Sequence, residues 1–575
     1  MIRDLEKPTI PALMRRSFSL YHDLPAVGSV EEDPLTYGDL EDRVDALARR
    51  LRETGVTPGS RVALLGENCP SWVIAYLAVT STGAVAVPIL PGFPDQDVRH
   101  IIRHSECVSV FVSERQKQKL EDAELPGVRM VFCFEDLIEA EHILQPSALE
   151  ERKTDAAKVA RGITERLGRL IDPGRQKPNP PEGSPDRQPA PEDTAVLIYT
   201  SGTTGHSKGV VLTHENIVSD TIGSIERFPI DSSDRFLSVL PLSHAYEATG
   251  GMLCPLAIGA SVFYLKGLPA PTRLIAAMRA VRPTAVLMVP LIMDAIYRKR
   301  VLATVKTRKL DWLYRFWPAR KIINRAAGSK LVAALGGNIR FFMLGGASLS
   351  EDLEIFLRDA GIGYSTGYGM TEASPILTIN PFEDVRVGSC GKPIPGVELR
   401  IESPDPETGV GEILVRGPNI MKGYFKNDQA TSSAFAEGQW LKTGDLGCFD
   451  REGYLYIKGR SKNVIVGPSG ENIYPEIIEQ ELLKSPYILQ AIVYRRNDII
   501  IARVNVNQDL IDREFASQDL SEPDFAEFLS GLLERVRART NKRLPCFSSI
   551  QKIVLQPEPF ELTPTRKVKR YLYTN

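Results

Sequence analysis

Paired cysteines are missing from this sequence. Its seven cysteines, at 69, 107, 133, 254, 390, 448 and 546, contain no Cys-x-x-Cys pair and make an odd total. That argues against a disulfide framework or a zinc site and points to a reducing compartment, so the expected location is cytoplasmic. An excess of one charge is missing too: 70 Lys and Arg face 72 Asp and Glu, a net charge of −2. Global charge therefore makes no case for nucleic acid. The N-terminus, Met1-Ile-Arg-Asp-Leu-Glu-Lys7, is charged and has no apolar core of the kind a signal peptide needs. No internal repeat recurs. The longest uncharged run, Asn68 to Pro94, is broken by Pro70, Gly83, Pro88 and Pro91. It predicts a buried helix, a turn and a buried strand rather than a membrane span. A Walker A loop is also lacking. Gly202 is followed at the required distance by Ser207, not Gly, and Gly209 stands after Lys208 where Ser or Thr belongs. That disfavours a P-loop motor or kinase.

What is present is ordinary in bulk and specific in detail. Hydrophobic residues at 43% and charged residues at 25% fit a globular protein, and 575 residues allow roughly three to five domain-sized units. Leu40, Val44, Leu47 and Leu51 recur at helical spacing on 38–54, and Gly55 stands where a helix C-terminal glycine belongs. A strand at 61–65, a helix at 71–82, a strand at 84–89, a helix at 95–104 and a strand at 107–112 follow. This alternation predicts an α/β protein with parallel sheets and flanking helices. Residues 172–193 hold seven prolines in 22 positions and read as a linker or surface insertion. From 194 to about 290 the alternation returns, with a helix expected after a glycine-rich loop.

Residues 298–330 carry eleven Lys or Arg against one acid, Asp311, with Trp312, Tyr314, Phe316 and Trp317 among them. Two readings stay open: a solvated helical insertion, or a patch resting on an anionic membrane surface. Near the C-terminus, the strand Tyr454–Ile457 runs into the polar connection Gly459-Arg-Ser-Lys-Asn463. Beyond it, Phe525, Phe528, Leu529, Leu532, Leu533 and Val536 form one helical stripe opened by Pro523. The expected division is a large domain, 1–459, and a small α+β domain, 460–575.

The chemistry concentrates in Tyr199-Thr-Ser-Gly-Thr-Thr-Gly-His-Ser-Lys-Gly-Val210, which follows the apolar strand Thr194–Tyr199. Glycines let a backbone approach a phosphate closely, hydroxyls and N–H groups donate to anionic oxygens, and Lys208 adds a mobile cation. The stretch resembles the signature loop of the adenylate-forming, or AMP-binding, superfamily, with Ser207 where proline is usual. Its candidate nucleotide-binding residues are Thr200, Ser201, Gly202, Thr203, Thr204, Gly205 and Lys208.

Five further stretches resemble the same superfamily in the expected order. Pro241-Leu-Ser-His-Ala-Tyr-Glu247 resembles a histidine-bearing motif and marks His244, which in relatives borders the acyl and nucleotide pockets. Leu344-Gly-Gly-Ala-Ser-Leu349 marks Gly345, Gly346 and Ala347 as a wall for adenine and the acyl group. Tyr364-Ser-Thr-Gly-Tyr-Gly-Met-Thr-Glu372 marks Tyr368 and Gly369 for adenine stacking and Thr371 for the α-phosphate. It also marks Glu372 as a hard oxygen ligand for Mg²⁺, with Thr200 as its companion. Trp440-Leu-Lys-Thr-Gly-Asp445 marks Asp445 for the ribose hydroxyls, reinforced by Arg460. Thr563-Pro-Thr-Arg-Lys-Val-Lys-Arg570 marks Lys567 as the mobile catalytic lysine. Arg566 replaces the usual glycine there, so Lys569 is the competing choice.

The resemblance covers nearly the whole chain. The Asn68–Trp72 segment, the His244 motif, the basic-aromatic insertion and Leu562-Thr-Pro-Thr565 look most like long-chain fatty acyl-CoA synthetases. It implies ATP, Mg²⁺ and CoA as cofactor and substrates, a fatty acid as the activated acid, and an acyl-AMP intermediate. It also implies a small domain that turns about a hinge at Lys462 to present a thiol channel near Gly470-Glu-Asn472. The alternatives are an acyl-carrier protein as acceptor, release of acyl-AMP, an aromatic or short acid, or a non-catalytic, membrane-docked acyl-nucleotide binder. Glu372, Asp445 and Lys567 together argue against the last.

Overall fold

The computed structural model describes residues 5–121, 123–137, 187–200, 207–265, 271–302, 314, 316–347, 349–467, 471–497, 499–516, 525–563 and 568–574. Contacts divide the chain into two units. One comprises residues 1–387, 391–398 and 416–435, the other 388–390, 399–415 and 436–575. The functional boundary at 459/460 is a separate proposal.

In the first unit, the long uncharged run resolves into the helix Pro70–Ser81 and the strand Val85–Ile89, joined at Gly83, whose φ of +75° only glycine adopts freely. Nearly every residue of that helix is buried and all five of the strand are, because the helix lies inside the protein with no polar face to offer water. Among the described residues, no helix is long and apolar enough to cross a membrane. The strand enters a seven-stranded sheet. From edge to edge its order is Gly423–Tyr424, Lys208–Thr213, Thr194–Thr200, Val85–Ile89, Arg61–Leu65, Cys107–Val112 and Met130–Cys133. The strands from Thr194–Thr200 to Met130–Cys133 are parallel, as the alternation predicts.

The segment after the glycine-rich loop departs from expectation. It is not a helix but the strand Lys208–Thr213, folded back antiparallel on Thr194–Thr200 with Lys208 opposite Thr200. The β-branched run Val210-Val211 favours the sheet, and Thr213 then stops it. The Thr213 hydroxyl accepts the Asn216 N–H at 3.1 Å while the Asn216 side chain accepts the Thr213 N–H at 2.9 Å. That reciprocal cap delays the helix to His214–Ile225.

A second, nine-stranded sheet carries Phe341–Leu344 beside Gly363–Gly369, parallel and in register from Phe341 opposite Gly363 to Leu344 opposite Thr366. Its edge continues antiparallel through Ile376–Ile379 and Lys392–Pro393.

Residues 303–313 and 315 of the basic-aromatic stretch, and 138–186 with most of the proline-rich stretch, lie outside the described residues. The described part of the former contains the helix Trp317–Ala334. One face packs on Glu351–Ala360: Asn324 and Arg320 both donate to Asp359 at 3.1 Å, and a Cβ on Gly328 would stand 2.5 Å from that of Ala360. The other face exposes Phe316 at 64%, Trp317 at 66% and Ile322 at 71%, beside exposed Lys321, Arg325 and Lys330.

In the second unit, Gly411–Arg416, Trp440–Phe449 and Leu455–Arg460 pair antiparallel. A three-stranded sheet, Ile488–Arg496, Ile499–Val506 and Lys552–Leu555, supports the helices Pro475–Leu483 and Phe525–Asn541. The predicted stripe holds: Phe528, Leu532 and Val536 are buried, and Phe525, Leu529 and Leu533 pack around them.

Candidate functional site

The glycine-rich loop is slung between two paired strands. Thr200, the last residue of the strand before it, holds its Oγ1 3.5 Å from the Lys208 carbonyl. Ser201, Gly202, Thr203, Thr204 and Gly205 lie outside the described residues. The loop's root is anchored by Tyr199, whose hydroxyl lies 2.7 Å from His104 Nδ1. Lys208 does not extend into open space. Its Nζ stands 4.7 Å from the ring centroid of Tyr424, which belongs to the strand edging the same sheet.

That same tyrosine donates from its hydroxyl to Glu372 Oε1 at 2.9 Å. Glu372 and Thr371 sit in a short helical turn, Thr371–Ala373, just past the strand that carries Tyr368 and Gly369. The strand bulges between Tyr368 and Gly369, and the Met370 N–H donates to the Pro375 carbonyl at 2.8 Å. From behind, buried Asn419 donates to the Ala373 and Ile376 carbonyls at 2.9 and 3.1 Å and to Asp220 Oδ1 at 3.1 Å. Asp220 in turn accepts the Ile376 N–H at 3.1 Å, and burial holds its carboxyl well above the usual carboxylate range. The turn bearing Glu372 is thus gripped on both sides. Asp220, Asn419 and Tyr424 are absent from the sequence-based site. Nothing in their spacing marks them, since Tyr424 and Glu372 are 52 residues apart.

The histidine motif follows the strand Arg235–Ser238. His244 is half-buried, and its Nδ1 accepts the Tyr246 N–H at 3.3 Å. A Cβ on Gly345 would lie 3.0 Å from the Tyr246 ring, so glycine there lets that ring lie on the backbone. The flat ring seated on Gly345 is therefore the protein's own. Gly346, at φ +84°, and Ala347 are exposed.

The motif's last residue, Glu247, is fully buried. Its Oε1 accepts the Ser238 hydroxyl at 2.5 Å, its Oε2 has no partner among the described residues, and burial pushes its carboxyl up to about 8. The folded protein thus holds this proton across a pH range in which the unfolded chain has released it. Stability from Glu247 is full below the ordinary glutamate range and is lost as pH rises towards about 8. The melting temperature should fall between pH 5 and 8, and Glu247→Gln should flatten that slope. Parallel slopes for the two proteins in a calorimetric series would show the carboxyl ionised at neutral pH.

In the second unit, Asp445 and Arg460 face each other across paired strands. Arg460 Nε lies 3.0 Å from Asp445 Oδ1, with the aspartate largely buried and the arginine half-exposed. Gly444, at φ +71°, donates its N–H to Glu412 at 3.2 Å and turns the chain into position. Lys462 is exposed in the one-turn helix Ser461–Asn463, directly after Arg460. Lys567 and Gly470 lie outside the described residues. Lys569 is engaged: its Nζ meets Glu561 at 3.3 Å and its N–H donates to the Glu561 carbonyl at 2.9 Å.

The two sequence-predicted metal donors, Glu372 and Thr200, offer one carboxylate and one hydroxyl. That set is hard, sparse and oxygen-only, which suits Mg²⁺ held mainly by phosphates and waters. The first unit therefore brings Lys208 and the Glu372 carboxylate to one tyrosine.

A family model described as "AMP-binding enzyme" matches residues 14–425. The long-chain-fatty-acid--CoA ligase FadD15 of Mycobacterium bovis is 32% identical, over 93% of this chain and 90% of its own length. The peroxisomal long chain acyl-CoA synthetase 6 of Arabidopsis thaliana is also 32% identical, over 93% of this chain and 79% of its own length. Among solved structures, the anthranilate CoA ligase AuaEII, in complex with anthranoyl-AMP, shares the fold at a TM-score of 0.75. It is 20% identical and covers 100% of this chain and 98% of that one.

Proposed function

Since this chain belongs to the AMP-binding enzyme family, we propose that it is an ATP-dependent long-chain fatty acid–CoA ligase. The observation that carries the reading is the meeting of Lys208 and Glu372 at Tyr424, which joins the two most specific motifs in one place. A carboxylate is a poor acyl donor, because its leaving group would be oxide. In the first half-reaction a carboxylate oxygen of the fatty acid attacks the α-phosphorus of ATP and pyrophosphate leaves. In the second, the CoA sulfur attacks the acyl carbonyl, its proton goes to solvent, and AMP leaves with the electron pair of the broken C–O bond.

Both reactants of the first step are anionic, so the site must neutralise charge and align the attack. The Thr200–Lys208 loop holds the departing phosphates, and Thr371 bonds the α-phosphate. Glu372 and Thr200 would ligate Mg²⁺, which when bound withdraws charge from the phosphate oxygens. Tyr368 stacks on adenine, and Asp445, steadied by Arg460, accepts the ribose hydroxyls. Lys567 reaches the forming acyl phosphate, and Lys462 is the hinge between half-reactions.

The test is pyrophosphate release with ATP and Mg²⁺ across acids from acetate to oleate plus benzoate, with and without CoA. CoA-dependent turnover that peaks with long chains supports the reading. Acyl-AMP formation without a response to CoA replaces CoA by a carrier protein as acceptor. No acid-dependent release refutes it.

The reading includes a peripheral membrane contact through Phe316, Trp317 and Ile322, whose apolar surface is ringed by Lys321, Arg325 and Lys330. Trp317→Asp with Ile322→Asp should weaken sedimentation with phosphatidylglycerol vesicles about tenfold, the scale expected for removing buried apolar side chains. Unchanged sedimentation would remove the contact.

A further inference from the structure

The arrangement around Tyr424 is built rather than incidental. Its backbone is sewn to the strand that carries Lys208: Gly423 lies opposite Val211 and Tyr424 opposite Val210. The Lys422 N–H donates to the Val211 carbonyl at 3.0 Å, and the Phe425 N–H donates to the Gly209 carbonyl at 2.7 Å. On the other side, the Met421 N–H donates to the Glu372 carbonyl at 2.9 Å. The Tyr424 N–H itself donates to Thr431 Oγ1 at 2.9 Å. One short stretch, Met421–Tyr424, therefore sets the distance between the loop lysine and the glutamate.

The side chain completes the link, with its ring under Lys208 Nζ and its hydroxyl on Glu372 Oε1. A cation over the face of a phenol draws density from the ring and makes its hydroxyl a stronger donor.

Carboxylates that ligate metals are held by outer hydrogen bonds, and loss of such a bond typically lowers metal affinity by about 10- to 100-fold. We propose that Tyr424 is a positioning residue for the metal–nucleotide complex: its hydroxyl fixes one oxygen of Glu372 and leaves the other to ligate the divalent ion, while its ring seats Lys208 until phosphate draws the lysine away. The proposal rests on the reading of the site as an ATP- and Mg²⁺-binding one. It assigns Tyr424 no contact with the reacting atoms.

Two substitutions separate the two duties. Tyr424→Phe keeps the ring and removes the hydroxyl; Tyr424→Leu removes both. The readouts are Mn²⁺ affinity of the ATP-loaded full chain, by electron paramagnetic resonance titration, and ATP affinity in EDTA, by calorimetry. Tyr424→Phe should weaken Mn²⁺ binding about tenfold, with metal-free ATP affinity and the melting temperature unchanged. Tyr424→Leu should lose both. If it fails to fold, the phenylalanine variant alone decides. Wild-type Mn²⁺ affinity in Tyr424→Phe overturns the proposal, as does an equal fall in both affinities, which would mean general damage. Acid-dependent pyrophosphate release by the unaltered protein is scored separately. Its absence would refute the ligase reading and leave the Mn²⁺ comparison standing.

Discussion

Replacing Lys567 by alanine should lower acyl-AMP formation about 10²- to 10³-fold and leave thioester formation from supplied acyl-AMP unchanged. The magnitude is that of removing one charged donor from a developing anion in a water-poor site. The asymmetry follows from charge. When the carboxylate attacks the α-phosphate, negative charge gathers on both partners, and a lysine there stabilises the transition state more than the ground state. When a thiolate attacks acyl-AMP, the acyl phosphate is already made and that need is gone. Single-turnover assays with labelled ATP, and separately with synthetic acyl-AMP and CoA, read the two steps apart. Lys569→Ala is the paired control. Lys569 is tied to Glu561 through both its ammonium and its backbone N–H, so its removal should leave both half-reactions intact. Equal loss of the two steps in Lys567→Ala, or a larger loss in Lys569→Ala, would take the role away from Lys567.

Gly369→Ala should be nearly as damaging for a different reason. Gly369 lies opposite Ile376 at a bulge, where the chain crosses close over the Pro375 carbonyl. A Cβ at Gly369 would run into that carbonyl oxygen, a backbone atom that cannot swing aside. The strand must shift, and Tyr368, Thr371 and Glu372 shift with it. A displacement near 1 Å at a reacting site costs about 10²-fold in rate. Adenylation should fall by about that factor, while stability falls by about 1–3 kcal/mol, the range for forcing an extra methyl into a filled space. Gly409→Ala separates the two effects. Gly409 has φ +68°, and a Cβ added there would meet no atom of the described residues within 4 Å, so alanine strains the backbone without touching a neighbour. It should lose stability and keep adenylation. If Gly369→Ala kept its rate, the bulge would not be what aligns this segment.

Local chemistry made much of the fold and the family's motif order legible. The helix at 95–104 and the strands at 61–65 and 107–112 stand where the periodicity puts them. Apolar spacing reports which face a segment buries, whatever it is buried against. The ion pair of Asp445 with Arg460 comes instead from the register of one hairpin, which sets the two residues opposite each other. The helix expected after the signature loop fails for an equally physical reason. Its β-branched Val210-Val211 favours a strand, Thr194–Thr200 supplies the partner, and the helix begins only at His214.

Composition and motif order thus determined the α/β class and the nucleotide chemistry of the family, because both depend on side-chain types within a few positions. The folded chain alone decided that Lys208 rests on Tyr424, that Tyr424 holds Glu372, and that Asp220 and Asn419 brace the turn between them. Those contacts join segments from 43 to more than 200 residues apart through β-pairing and burial. No local pattern encodes a partner at that distance; only closing the sheets brings the groups together.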